Sequence, residues 1–218
     1  MMQKDIEINK LHTLGLEMIG LVRKQIGKVG KSFEDRDVTL AQEVILIEDR
    51  VNALELNIDR VCEEILTLQQ PLASDFRFVL SILKMNRELE RIGDYAKDMC
   101  EYILHWEEDL DVSLYQKLQL PEMFAIADDM MAKIHDSLEN DDQNQPRKVF
   151  QMDAGLNEIK EAAPGRIEEA ILADNKKIKQ SLNLLATVRK MERVGDQIKN
   201  IGEELIYYLE AKVVKHSK

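Results

Sequence analysis

One string in this chain occurs twice. ERIGDYAKDMCE at 90–101 returns as ERVGDQIKNIGE at 192–203, with six of twelve positions identical and Ile/Val and Asp/Asn exchanges at two more. Both copies put a glycine and several carboxylates among ordinary helix formers, 102 residues apart. A repeat of this length predicts a tandem duplication, in which each half folds as the same supersecondary unit.

The surrounding pattern is larger than the string. Val44, Ile47, Val51, Leu54, Ile58, Val61, Ile65 and Leu68 hold unbroken 3-4 spacing, the seam of a helix in an antiparallel bundle. Ile82, Met85, Leu89, Ile92, Ala96, Met99, Ile103 and Trp106 keep the same rhythm, and Met191, Val194, Ile198, Ile201, Leu205 and Tyr208 repeat it. Breakers at Gly27/Gly30, Gln70-Pro71, Leu120-Pro121, Asn144-Gln145-Pro146 and Ala173-Asp174-Asn175 delimit six helical segments, near 4–28, 37–69, 73–108, 121–140, 146–172 and 175–214. The least periodic join is 109–120. These features predict an all-α chain of two antiparallel three-helix bundles, six helices side by side, the first over 1–112 and the second over 113–218.

Composition agrees and limits function. With 33% charged residues, 9 Gly, 4 Pro and 5% aromatics in 218 residues, an all-helical fold is expected. The net charge of −11 argues against a nucleic-acid partner, which asks for a basic face. Residues 1–109 carry 14 basic and 22 acidic groups against 16 and 19 in the remainder, so acidity leans to the first half. Cys62 and Cys100 stand in no metal or redox spacing and read as two inert thiols of a reduced compartment. No apolar leader and no run of about 18 apolar residues is present, which predicts a soluble intracellular chain.

The acidic residues of the repeat share a face. Positions i, i+4, i+8 and i+11 fall within about 80° on a helix, so Glu90, Asp94, Asp98 and Glu101 line one stripe, and Glu192, Asp196, Asn200 and Glu203 the matching one. A charged face opposite an apolar seam is ordinarily solvated or ion-paired, and Lys97, Lys199, Arg91 and Arg193 lie within reach for that. The flanks are different. Phe76, Val79, Leu80, Leu83 and Leu104 continue the first stripe, and Ile178, Ser181, Leu182, Leu185 and Ile206 the second. An acidic island between apolar stretches predicts a helix covered on two sides with its carboxylates at a sheltered opening. Gly93 and Gly195, each costing about 1 kcal/mol against alanine in a helix interior, predict close approach of a neighbour there.

The second segment supplies a companion face, Glu48, Asn52, Glu55 and Asp59, matched in the fifth by Asp153 and Asn157 and then Lys160 and Pro164. Carboxylates from two helices without His or Cys suit a hard cation, Fe(III), Mn, Mg or Ca, better than zinc. Two readings of these stripes stand side by side: a cation site, or a solvated and ion-paired surface.

LQQPLASDFR at 68–77 running into LERIGDYAKDMCE, with MERVGDQIKNIGEELIYYLEAKVVKH in the second half, resembles the PhoU family of phosphate-uptake regulators over the whole chain. The resemblance implies two similar three-helix bundles in a cytoplasmic protein that is commonly dimeric and has no catalytic activity. It implies an adaptor between the ATPase subunit of a phosphate ABC transporter (PstB) and a sensor histidine kinase (PhoR). Such an adaptor meets the membrane only through these partners, and it restrains uptake and the phosphate-starvation response. It also implies metal ions on surface carboxylates, iron foremost and Mn, Mg, Ca or Zn as other candidates. Glu90, Asp94 and Glu101 match the family's motif beside Glu48/Asn52 and Glu55/Asp59; Glu192, Asp196 and Glu203 match beside Asp153/Asn157. Asn52 and Asn157 depart from the acidic pattern, Lys160 puts a cation where Glu55 stands in the first half, and Ala211 replaces a frequent glycine.

Other residues read as ordinary. Ser74 or Asp75 caps the third helix, His12, His105, His135 and His216 are scattered, and the methionines of 123–131 pack. A di-metal carboxylate bundle, ferritin-like in binding or catalysis, is the competing class, but its Glu-x-x-His signature is absent from the sequence. A purely structural bundle leaves the paired islands and glycines without a role.

Overall fold

The computed structural model describes residues 3–105 and 110–214. Among these residues there are seven α-helices and no strand. Helix α1 spans Gln3–Asp35, α2 Val38–Glu64, α3 Ser74–Leu104, α4 Val112–Lys117, α5 Leu120–Asn140, α6 Gln145–Ala173 and α7 Ile178–Glu210. Helices α1, α2 and α3 pack on one another, as do α5, α6 and α7, and the two bundles join where α1 meets α5 and α3 meets α7. The duplicated all-α architecture expected from the repeat is the architecture observed.

The seams are the core. Val44, Val51, Ile58, Val61 and Ile65 of the second segment are buried, as are Ile82, Met85, Leu89, Ile92, Ala96, Met99 and Ile103 of the third. Met191, Val194, Ile198, Ile201 and Leu205 do the same in α7. Leu68 breaks the α2 series and is exposed. The helix widens into a π turn at Ile65–Gln69, and the extra residue per turn rotates Leu68 off the buried face.

Both joining contacts run antiparallel. Ser81 Oγ donates to the Glu204 carbonyl at 2.9 Å, Lys84 pairs with Glu204 at 3.0 Å, and Asn200 Nδ2 donates to Glu88 Oε2 at 3.3 Å. Between α1 and α5, Arg23 grips Asp128 with two bonds of 2.7 and 2.8 Å, and His12 Nε2 lies 2.9 Å from the Leu138 carbonyl. The α2–α3 and α6–α7 turns therefore point to opposite ends of the molecule.

Several boundaries differ from the sequence expectation. Gly27 and Gly30 do not end α1, which runs on to Asp35 and stops where Arg36 takes φ 55°. Gly30 sits under Phe124 of α5, whose Cγ would lie 3.1 Å from an added Cβ. The join at 109–120 holds the short α4, capped by Asp111 Oδ1 accepting from Leu114 N at 3.0 Å. Leu114, Tyr115 and Leu118 there are buried, with Tyr115 stacked on Phe33 at 5.8 Å. Pro164 lies inside α6 without ending it. The third segment's expected stretch to 108, and Trp106 and His216 with it, fall outside the described residues. Ala211 has φ 55°, the left-handed conformation that explains why glycine suits that place.

Candidate functional site

Gly93 is where α3 lets α2 in. A Cβ on Gly93 would lie 2.7 Å from Glu48 Oε2, 3.2 Å from Gln25 Oε1 and 3.3 Å from Val51 Cγ1. The space that glycine leaves is filled by a carboxylate. Glu48 is only 1% exposed, and its Oε2 accepts from Gln25 Nε2 of α1 at 3.0 Å, while Glu48 Oε1 and Gln25 Oε1 are buried without a hydrogen bond. Gln25 escaped the sequence reading, although a polar residue in the apolar α1 series of Met18, Val22, Ile26 and Val29 is a legible signal.

Around Glu48 the first-half acids share one field. Burial pushes the Glu48 carboxyl above its ordinary range against the Gln25 bond, with the Asp94 charge adding to it and Lys97 opposing. Burial also raises Glu90, helped by Asp94, Glu55 and Glu48, and raises Glu55, helped by Asp59 and Asp94. Asn86 Nδ2 donates to Asp59 Oδ1 at 2.8 Å and to the Glu55 carbonyl at 3.0 Å, tying the far end of the α2 stripe to α3. Asp94 is exposed and Glu90 half-buried. The structure thus draws Glu48, Glu55, Asp59, Glu90 and Asp94 into one electrostatic group. Asn52 and Glu101 are exposed at its margins, and Asp98 is turned away, ion-paired with Lys190 of α7.

The second half has the same frame with other contents. Gly195 faces α6, where an added Cβ would run into Leu156 Cδ1 and lie 3.2 Å from Asp153 Oδ1. Asp153 is 6% exposed; its Oδ2 accepts from Lys199 Nζ at 2.8 Å and from Asn157 Nδ2 at 3.2 Å. Lys199 also donates to Asp196 Oδ1 at 2.8 Å. Burial pulls Lys199 down, but its bonds to the two aspartates outweigh this and hold it well above the ordinary lysine range. Lys160 donates to Glu192 Oε1 at 3.1 Å. Asn200 is spent on Glu88 across the α3–α7 contact, and Glu203 lines a separate small cavity with Lys84 and Tyr207.

The apolar flanks are covered unevenly. Val79, Ser181 and Ile206 are buried and Leu80, Leu83, Leu104 and Leu185 half-buried, while Phe76, Ile178 and Leu182 are exposed. The sheltered island therefore opens towards the N-terminal ends of α3 and α7. Neither Ser74 nor Asp75 caps α3; Asp75 is held by Lys4 at 2.6 Å instead. Burial drives both thiols, Cys62 and Cys100, up to about 12, so they stay protonated and inert. Met123, Met130 and Met131 are core residues.

Two further clusters lie elsewhere. Among the described residues, His135, Asp136 and Glu139 are the one trio of His, Cys, Asp or Glu with ligand atoms all within 4.8 Å of one another, so the first-half acids are held further apart than that. Between α1 and α5 runs a groove of about 660 Å³ lined by Arg23, Lys24, Lys28 and Lys31 together with Asp128, to which Arg23 is paired.

The PhoU domain model matches this chain twice, at residues 16–103 and 120–205. The phosphate-specific transport system accessory protein PhoU homolog of Pseudomonas aeruginosa is 31% identical over 98% of this chain and 88% of its own length. The accessory protein PhoU of Escherichia coli is 28% identical over the same shares. The crystal structure of PhoU from Pseudomonas aeruginosa superposes with a TM-score of 0.85 at 30% identity, covering 96% of this chain and all of that one. For the phosphate transport system regulatory protein PhoU from Streptococcus pneumoniae the TM-score is 0.84 at 24% identity, covering 98% and all of that chain, a likeness of fold. With two matched repeats, one in each bundle, and relatives aligned over nearly its full length, this chain belongs to the PhoU family.

Proposed function

We propose that this chain is a regulatory accessory protein of a phosphate-specific transport system. The observation that carries this reading is the alignment of nearly the whole chain, both repeats included, with accessory proteins of that system. In this reading the chain acts in the cytoplasm as a non-catalytic, dimeric adaptor between the transporter's ATPase subunit and a sensor histidine kinase. It restrains phosphate uptake and the starvation response when phosphate is plentiful. No helix among the described residues is long and apolar enough to cross a membrane, in keeping with contact through partners. Deletion of the gene is expected to raise a phosphate-starvation reporter in phosphate-rich medium, and an unchanged reporter overturns the regulatory role. Pull-down of the ATPase and the kinase with the tagged protein tests each partner separately.

The first-half carboxylates have the all-oxygen chemistry that a hard cation takes, and they would have to draw closer to bind one, since no three of their ligand atoms lie within 4.8 Å of one another. Glu48 offers a buried oxygen with no hydrogen bond, and the neighbouring donors are all oxygens from α2 and α3. Three carboxyls raised by burial and mutual repulsion are what a cation would relieve. Glu48, Glu55, Glu90 and Asp94 would hold it, with Asp59 and Asn52 at the edge, and iron leads Mn, Mg, Ca and Zn as occupant. The bound cation would supply positive charge that fixes α2 against α3 and changes the face presented to partners. Glu90→Ala with Asp94→Ala is expected to lower bound metal while the chain stays folded, as read by elemental analysis alongside circular dichroism.

A further inference from the structure

We infer that the second half of this chain carries its own cation, the Lys199 and Lys160 ammoniums, and that metal binds at the first half alone. This rests on the metal reading above and restricts it to one of two equivalent places.

The second-half acids that correspond to the first-half group are already matched. Lys199 Nζ donates to Asp153 Oδ2 and to Asp196 Oδ1, both at 2.8 Å, so one ammonium ties α6 to α7. A metal shared by two helices would make the same tie. Lys160, in place of Glu55, takes Glu192 at 3.1 Å. Asn157, the remaining neutral donor oxygen of the α6 stripe, has its amide nitrogen engaged on Asp153. A metal entering here must displace two ammoniums and would find one ligand position occupied by a lysine and another by Pro164. Among the described second-half residues Asp153 Oδ1 is the one buried carboxylate oxygen left without a bond, as Glu48 Oε1 is in the first half, but the acids that would complete a site around it are held by lysine.

The first half lacks this internal neutralisation. Lys97 stands at the position equivalent to Lys199, yet among the described residues it forms no ion pair; its field alone reaches Glu48. Arg91 leans towards Glu88 at 3.7 Å rather than towards Glu90. Glu48 is one methylene longer than Asp153 and is held from the α1 side by Gln25, with Oε1 unbonded. The same frame, built on the same glycine, is thus filled by lysine in one copy and left to an external cation in the other.

Equilibrium dialysis against Mn(II), followed by elemental analysis and by the Mn(II)-induced shift in melting temperature, tests this on the full chain. Wild-type protein is expected to hold Mn(II), and Glu90→Ala with Asp94→Ala to lose it to background. Adding Lys160→Glu and Lys199→Gln to that double variant is expected to restore binding, now in the second half. Mn(II) that survives Glu90→Ala with Asp94→Ala and is lost on Asp153→Asn with Asp196→Asn overturns the inference. Failure of the lysine substitutions to restore binding overturns it too, provided that the variant melts cooperatively. If the unfolding trace shows that this variant does not fold, Lys160→Glu alone, a change at a half-buried position, replaces it and must raise Mn(II) uptake for the inference to stand. Wild type without Mn(II) beside a lysine variant that takes it up overturns the first-half metal reading and leaves the lysine exclusion standing; no uptake by either overturns both.

Discussion

The α2–α3 and α6–α7 hairpins were built from one plan and solve one problem in two ways. Each brings two long helices together at a glycine, Gly93 or Gly195, and each lays an acid of the partner helix beside that glycine. In the first hairpin the space is taken by the Glu48 carboxylate, backed by Gln25, and the acids around it repel one another. In the second it is taken by the Leu156 side chain, and the acid beside it is neutralised by lysine. The first hairpin keeps unrelieved charge at its helix contact; the second turns its contact into apolar packing and internal ion pairs. One scaffold therefore offers a responsive half and a settled half.

The sharpest way to break that contrast is to remove the lysine at equivalent places. Lys199→Met leaves Asp153, nearly buried, without its counterion. Breaking a fully buried pair costs 3–5 kcal/mol, and since the Lys199 side chain is 31% exposed about 2 kcal/mol is the realistic loss. For a chain of this size that lowers the melting temperature by about 4–8 °C. Lys97→Met is expected to change stability by less than about 0.5 kcal/mol, because Lys97 makes no ion pair among the described residues. Equal losses in urea titrations of the two variants would mean that the halves are not distinct.

Alanine at the two glycines is the next test. A Cβ on Gly195 runs into Leu156, a fully buried core residue. Overpacking of this kind costs about 1–3 kcal/mol, offset by about 1 kcal/mol of better helix propensity. The expected net loss is about 0–2 kcal/mol, towards the upper end because the contact is so close, and Leu156→Val in the same chain should recover part of it. On Gly93 the nearest obstacle is the Glu48 carboxylate at 2.7 Å, the far end of a flexible though buried side chain, with Gln25 Oε1 at 3.2 Å and Val51 Cγ1 at 3.3 Å behind it. Gly93→Ala is expected to cost less than about 1 kcal/mol yet to break the Gln25–Glu48 bond, so Mn(II) uptake falls while the melting temperature barely moves.

Much of this was legible in the residues, because periodicity and repetition are local signals. The seams marked the core, the duplication marked the two bundles, and the paired glycines announced a close approach that both hairpins show. What could not be read was which atoms fill that approach. Gln25 lies on a helix far from the repeat in sequence and reaches Glu48 only because three helices converge there. Lys199 lay within the acidic stripe of the sequence, but its hold on an acid of α6 depends on the spacing of two helices. Asp98 and Asn200 share their stripes on the helical wheel and leave them in space, since both are drawn into contact across the bundles with Lys190 and Glu88. Helix ends failed where tertiary packing overrode a breaker, as at Gly30 under Phe124.

The smallest effect expected is also the one that separates the hairpins by pH. Glu48 has its carboxyl raised above 4.5, chiefly by burial. The groups acting on it are Asp94 and Lys97 of α3, Asp49 of its own helix and Gln25 of α1. A raised acid contributes stability that is fully present below its unfolded pKa and is lost as pH rises through its folded one. At neutral pH the ionised Glu48 is therefore a burden on the metal-free fold. Glu48→Gln keeps the shape and the hydrogen bond from Gln25 but carries no charge, so it should melt slightly above wild type at pH 7. That advantage should shrink as pH falls through the raised pKa and vanish below 4.5. Mn(II) at pH 7 should reverse the order, because wild type gains a cation that the amide binds more weakly. An advantage that persists unchanged into acid would show that Glu48→Gln acts through packing, and the contrast between a charged first contact and a neutralised second one would lose its electrostatic basis.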